Sequence, residues 1–240
     1  MRSDDPELVR EQYATEDGLA ARAALYLHSA NGVDARDVVI EELQRREPRR
    51  VLEVGCGWGE LAERIRAELG CEVVALDTSE RMVELARERG VEAVVGDVQE
   101  LPFADGSFDA AVAAWMLYHV PDLDRGVAEL ARVLRPGGTL VAVTNGANDF
   151  EELWSLVGRD VSARTLTFRV ENGEDHLRRH FTEVERRDLV TSISFPDSET
   201  MRRYIGSSEL GRSLVDNVPE LTEPFVATKV IGVFVAEKAG

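Results

Sequence analysis

The sequence predicts an α/β fold, a parallel sheet with helices packed against it. Three observations carry that expectation. Short apolar runs of strand length alternate with amphipathic stretches of helical spacing. The run at 51–54 leads straight into three glycines at alternate positions, Gly55, Gly57 and Gly59. Leu61, Ile65 and Leu69 then recur at i, i+4 and i+8 with charges between them, the stripe of a helix lying on a sheet.

Taken in order, residues 7–46 read as helical. Leu19, Ala23, Ala24 and Leu27 form one face, Val38, Val39, Ile40 and Leu43 another, and Asn31-Gly32 separates them. At 240 residues the chain has room for one full core and an added cap. Residues 1–46 are expected to be that N-terminal helical cap, and 47–240 the main domain. After the first strand and helix, residues 72–77 make a second strand ending in Asp77. Met82, Leu85 and Ala86 give the next helix its buried stripe, and Gly90 closes it. Residues 91–95 are a third strand, ending at Gly96-Asp97-Val98. Residues 108–117 read as a central fourth strand running into Tyr118-His119-Val120-Pro121-Asp122. Val127, Leu130, Ala131 and Leu134 form a helical stripe that Arg135-Pro136-Gly137-Gly138 stops, before a fifth strand at 139–143. Residues 184–190 and 229–236 supply the last two strands. The polar stretch 197–216 between them is helical, with Met201, Tyr204 and Ile205 in register.

Composition narrows the partners. A formal charge of −17 opposes binding to nucleic acid or an anionic membrane surface. Two cysteines, Cys56 and Cys71, make no disulfide framework, and the acidic N-terminus lacks a signal-peptide core. A cytoplasmic protein, monomer or homodimer, is the expectation. His176 and His180 are four apart and would share a solvent-facing helix face, but they lack the Glu of H-E-x-x-H, so no metal is expected.

The glycine turn carries the chemistry. Bare backbone lets a ligand come close where a Cβ would block it. A dinucleotide site uses G-x-G-x-x-G; here the spacing is G-x-G-x-G, and Glu53 precedes the first glycine. A carboxylate there offers an anion little and attracts a cation. Asp77, 18 positions past Gly59, ends the second strand, where an acid accepts hydrogen bonds from ribose hydroxyls or caps the following helix. Asp97 is an acceptor for an amino donor or the start of an Asx turn.

The stretch Glu53-Val54-Gly55-Cys56-Gly57-Trp58-Gly59 resembles motif I of the class I S-adenosylmethionine-dependent methyltransferases, an acid-x-G-x-G-x-G pattern. Leu134-Arg135-Pro136-Gly137-Gly138 before an apolar strand is similar to the same class. His119 and Asp122, as His-x-x-Asp, resemble its ubiquinone-biosynthesis-like branch, methyltransferase type 11. The resemblance implies a Rossmann-like, seven-stranded, mostly parallel sheet flanked by helices, with the N-terminal cap and a lid insertion after the fifth strand. Lid and substrate elements would lie at about 147–180 and 197–218. It implies S-adenosyl-L-methionine as cofactor, with S-adenosyl-L-homocysteine as product, and a small-molecule acceptor methylated at O, N or C. By that likeness Glu53, Gly55, Cys56, Gly57 and Gly59 hold the methionine end, with Ala114 and Trp115 beside it. Asp77 serves the ribose, and Asp97 and Val98 the adenine, with Thr78 and Met82 as further cofactor-binding residues. His119 either deprotonates the acceptor or braces its loop. Tyr13, Arg22, Tyr118, Asn145 and Trp154 are the candidates for acceptor binding, with Phe168, Asn172 and Phe181 as further pocket residues. Two alternatives stand beside this reading: an NAD(P)-dependent oxidoreductase of similar topology, and a non-catalytic module that binds S-adenosylmethionine.

Overall fold

The computed structural model describes residues 17–25, 29, 32, 34–161 and 166–240. Of the sequence candidates, Tyr13 lies outside the described residues, as do Tyr26, His28 and Asn31. A seven-stranded sheet runs in the order β3-β2-β1-β4-β5-β7-β6. Its strands are β1 (Arg50–Val54), β2 (Glu72–Asp77), β3 (Glu92–Val95), β4 (Phe108–Ala114), β5 (Leu134–Asn145), β6 (Glu183–Phe195) and β7 (Phe225–Glu237). Strands β1 to β5 are parallel, and β7 is antiparallel to both β5 and β6. The fold is the Rossmann-like α/β architecture expected from the sequence.

Period-two burial explains the layers. Val51 faces one core cluster while Leu52 and Val54 face the other, because successive strand side chains point to opposite faces. Helices α2 (Ala35–Gln44), α3 (Glu60–Leu69) and α4 (Glu80–Glu88) cover the first face, through Val39, Leu43, Ile65, Val83 and Ala86. Helix α5 (Leu123–Val133) covers the second through Val127 and Leu130. Side-chain caps set helix starts: Asp34 accepts from Arg36 N, Ser79 from Met82 N and Asp122 from Arg125 N. The helix α2, which the sequence assigned to the cap, therefore packs into the sheet core. Of the described cap, α1 (Asp17–Ala24) lies against α8 (Ser198–Gly206) instead.

Several boundaries differ from expectation, each for a pairing reason. Leu134 pairs with Phe108 and Thr139 with Ala110, so β5 starts before the Pro-Gly-Gly turn and residues 135–138 form an irregularity within it. Strands β6 and β7 pair over their full lengths, from Glu183↔Glu237 to Phe195↔Phe225, well past the short runs read from sequence. Because β5 stops pairing at Asn145↔Ile231, the hairpin arm at 189–195 and 225–230 projects beyond the sheet. That arm joins α6 (Glu151–Leu156) and α8 in a third apolar cluster around Phe150, Trp154, Phe195 and Met201.

The expected insertion at 147–180 is thus divided. Its first part belongs to this outer cluster, but Phe168, Leu177 and Phe181 are buried in the sheet core. His176 and His180 do not share a helix face, since α7 ends first (Gly173–Leu177). Both are half-buried. His176 packs near Phe168, and His180 reaches Asp124 at 3.2 Å. Among the described residues no helix is long and apolar enough to cross a membrane, and no cluster of three His, Cys, Asp or Glu could share a metal.

Phe234 is fully buried, with its ring 5.6 Å from that of Phe168. Phe234→Ala should lower unfolding free energy by about 3–5 kcal/mol, seen as an earlier urea midpoint with an unchanged slope.

Candidate functional site

Parallel strands all point their carboxyl ends to one edge, and the chain reverses its winding direction between β1 and β4. A crevice opens at such a switch point. Here it is a cavity of about 540 Å³. The glycine turn, the ends of β2, β3, β4 and β5, α1, and the projecting hairpin arm line it.

Glu53, on β1, is 3 % exposed, and its Oε2 has no hydrogen-bond partner among the described residues. Burial pushes its carboxyl up to about 8 from an ordinary 4.5. The Ala62 N–H opposes that rise, while Asp77 and Glu60 add repulsion. Asp77 accepts from Gly57 N and from Ser79 N, each at 2.9 Å. It therefore pins the turn while retaining lone pairs for a ligand. Burial raises the Asp77 carboxyl as well. The helix after it is capped by Ser79, not Asp77. Asp97 is exposed, and its Oδ1 accepts from Gln99 N at 2.8 Å, so the Asx turn that the sequence allowed is present.

The three glycines all adopt positive φ: 65° at Gly55, 53° at Gly57 and 81° at Gly59. Only bare backbone does this without strain. A Cβ on Gly55 would stand 2.6 Å from Met116 Cβ, and one on Gly59 2.7 Å from Ala86 Cβ. At both positions the space is taken by protein, not held open for a ligand. That corrects the sequence argument at Gly55 and Gly59.

Of the expected cofactor residues, Glu53, Gly55, Cys56, Gly57, Asp77, Thr78, Asp97, Val98, Ala114 and Trp115 line the cavity. Gly59 and Met82 do not. Gly59 serves the packing of α3 on α4, and Met82 is fully buried under the first turn of α4. His119, Arg22 and Asn145 line the cavity. Tyr118 does not: it turns back into the core, with its ring 4.5 Å from that of His119 and its carbonyl accepting from Thr167. Trp154 is 3 % exposed in the outer cluster, with Arg159 over its ring, away from the cavity wall. Asn172 bonds locally to Arg169 and Thr167.

Sequence reading missed Leu19, Arg36, Trp58, Tyr204 and Lys229, which also line the cavity. Arg36 is locked between Asp34 and Glu60. Lys229 is drawn in because β7 runs antiparallel, and its amphipathic run carried no motif. Trp115 ends β4 at φ 54°, a left-handed conformation uncommon outside glycine. Its Nε1 donates to Asn145 Oδ1 at 3.2 Å.

Does a cationic, phosphate-free nucleoside fit these residues? The buried carboxyl of Glu53 says it does, since a cation there would offset a desolvated carboxylate, and a pyrophosphate would meet Glu53, Glu60, Asp77 and Asp97.

Residues 52–142 match the family described as "Methyltransferase domain". An uncharacterised methyltransferase of Mycobacterium tuberculosis is 32% identical over 189 residues, 75% of this chain and 76% of that protein. A demethylmenaquinone methyltransferase of Desulfitobacterium hafniense is 32% identical over 118 residues, 45% of this chain, and the match spans only 47% of its length. In structure, the chain is similar to phosphoethanolamine N-methyltransferase 2 of Haemonchus contortus, solved with phosphomonomethylethanolamine and S-adenosylhomocysteine. The TM-score is 0.64 at 19% identity, covering 100% of this chain and 61% of that one. With the acid-and-glycine turn at the switch point and a relative matched over three quarters of both chains, the chain belongs to the class I S-adenosylmethionine-dependent methyltransferases.

Proposed function

We propose that this chain is an enzyme that methylates a small molecule at an O, N or C nucleophile, in the cytoplasm. The observation that carries the reading is the buried carboxyl of Glu53, which lines the cavity beneath the glycine turn and whose Oε2 has no hydrogen-bond partner among the described residues. S-adenosylmethionine, when bound, supplies a methyl group on a sulfonium. Glu53 and the backbone of Gly55, Cys56 and Gly57 hold its cationic methionine end, beside Ala114 and Trp115. Asp77, fixed by two backbone donors, accepts from ribose hydroxyls, with Thr78 alongside. Asp97 accepts from the adenine amino group, and buried Val98 packs on the ring.

Arg22 from α1, His119 and Asn145 border the space left for an acceptor. His119 is the residue placed to take a proton from an acceptor hydroxyl or amine. The main task of the rest is alignment and exclusion of water. A small acceptor accords with a cavity of about 540 Å³, with a formal charge of −17, and with the acceptor in the D. hafniense relative's name.

S-adenosylhomocysteine should raise the melting temperature and NAD should not. The reverse result would favour the oxidoreductase reading. Asp77→Ala should weaken S-adenosylhomocysteine binding by calorimetry, by about 1.5–3 kcal/mol for a lost charged hydrogen bond. Unchanged affinity would remove Asp77 from the site.

The raised Glu53 pKa has two consequences of defined sign. The folded apo-protein keeps the proton between pH 4.5 and about 8, where the unfolded chain has released it. Glu53 therefore contributes less stability as pH rises through that window. Glu53→Gln should flatten this part of the decline in urea unfolding. A cation bound beside Glu53 favours its ionised form, so cofactor binding near neutral pH should release a proton. Calorimetry in two buffers of different ionisation enthalpy should detect that proton in the wild type and not in Glu53→Gln.

A further inference from the structure

We propose that Lys229 anchors the methyl acceptor, and that the acceptor is a planar, ring-sized molecule carrying an anionic oxygen, a carboxylate or a phenolate. The proposal rests on the reading of this cavity as a methyltransferase site.

Lys229 lies on the part of β7 that projects past the end of β5. It is 7 % exposed, and it lines the cavity. Asp149, its ion-pair partner, is 1 % exposed and is not part of the cavity wall. Of this ion pair, the lysine is the member that lines the cavity.

The ammonium is held without being saturated. It sits 3.3 Å from Asn145 Oδ1 and 3.4 Å from each oxygen of Asp149. Charge-assisted contacts of this kind are usually about 2.7–2.9 Å. Both partners are already engaged: Asp149 Oδ1 accepts from Val230 N at 3.0 Å, and Asn145 Oδ1 from Trp115 Nε1. Asp149 lowers the cost of burying the charge. Contacts this long, two of them to one carboxylate, hold the three N–H donors weakly enough for an anionic oxygen in the cavity to compete for one of them.

The surrounding wall selects for a flat apolar body. The Phe150 ring centre is 4.8 Å from the ammonium, and Tyr204 packs edge-on to Phe150 at 5.3 Å. Leu25, Ile193 and Trp115 also line the cavity. Charge is divided along it. Glu53 is on β1 and Lys229 on β7, three strand spacings apart in the order β1-β4-β5-β7, roughly 14 Å at the usual inter-strand distance. The cationic donor and an anionic acceptor would each sit beside the opposite charge.

The test uses the full chain with S-adenosylhomocysteine bound, titrated with benzoate, 4-nitrophenolate and benzylamine and followed by calorimetry. At least one of the two anions should bind about tenfold or more tighter than benzylamine. Whichever does so identifies the carboxylate or the phenolate as the chemistry recognised. Lys229→Met takes the paired cation away from buried Asp149, so the comparison is made with Lys229→Met/Asp149→Asn, which removes both charges. That variant should keep its S-adenosylhomocysteine affinity and lose the anion preference. Anion binding no tighter than benzylamine, or a preference that survives the double substitution, would overturn the role of Lys229 alone. Failure of the wild type to bind S-adenosylhomocysteine would instead overturn the methyltransferase reading and this one with it.

Discussion

A carboxylate buried at the end of a central strand is an expensive thing for a fold to keep. Glu53 is 3 % exposed, receives the Ala62 N–H, and among the described residues has no partner for Oε2. An apolar residue would pack there at lower cost, and the neighbouring β1 positions are all apolar. Burial meets this cost by favouring the protonated acid, which is why its pKa stands near 8. A bound cation restores the charge. The energy that folding forgoes at Glu53 thus becomes available on binding, and the rest of the crevice follows from that exchange.

Topology decides which charges meet there. Parallel strands deliver their carboxyl-terminal residues to one edge, so Glu53, Asp77 and Asp97 converge from β1, β2 and the loop after β3. A cation from a parallel strand would have had to come from the same ends. The antiparallel β7 instead contributes its beginning, and Lys229 enters from the far side. The reversed strand thus adds a cation to a wall that also carries Arg22 from α1 and Arg36 from α2. The same reversal generates the projecting hairpin arm, whose apolar residues need cover and find it in α6, α8 and Leu25 beyond α1.

Local signals made most of this sheet legible. Strands β2 and β3 and the helix α4 between them show apolar runs of strand length, a helical stripe and a glycine stop that local spacing determines. Long-range pairing was not legible. The β6–β7 hairpin is held by cross-strand partners about 40 residues apart in sequence, and its outer halves alternate too weakly to be read alone. For the site, acids and glycines stood in a recognisable pattern, whereas Lys229 looks like a solvated lysine until its strand direction is known. Trp154 and Tyr118 failed as pocket candidates for a related reason. Aromatic residues near a site suit its wall and the adjoining core equally well, and packing of α6 and of the loop after β4 sent both inward.

The glycine turn shows how closely site and scaffold are joined. Three different elements crowd it: Met116 after β4 at Gly55, Leu19 of α1 at Gly57, and Ala86 of α4 at Gly59. A Cβ at Gly57 would lie 3.0 Å from Leu19 Cδ2, so the described cap helix rests on the same backbone that lines the cavity. Asp77 fastens that backbone from the β2 side through Gly57 N. The turn is therefore a junction, and a substitution at any of the three glycines would displace a packed neighbour before it obstructed a ligand. Glu53 is the β1 residue that precedes this turn by two positions, and α1, which approaches Gly57 through Leu19, brings Arg22 to the wall of the same cavity.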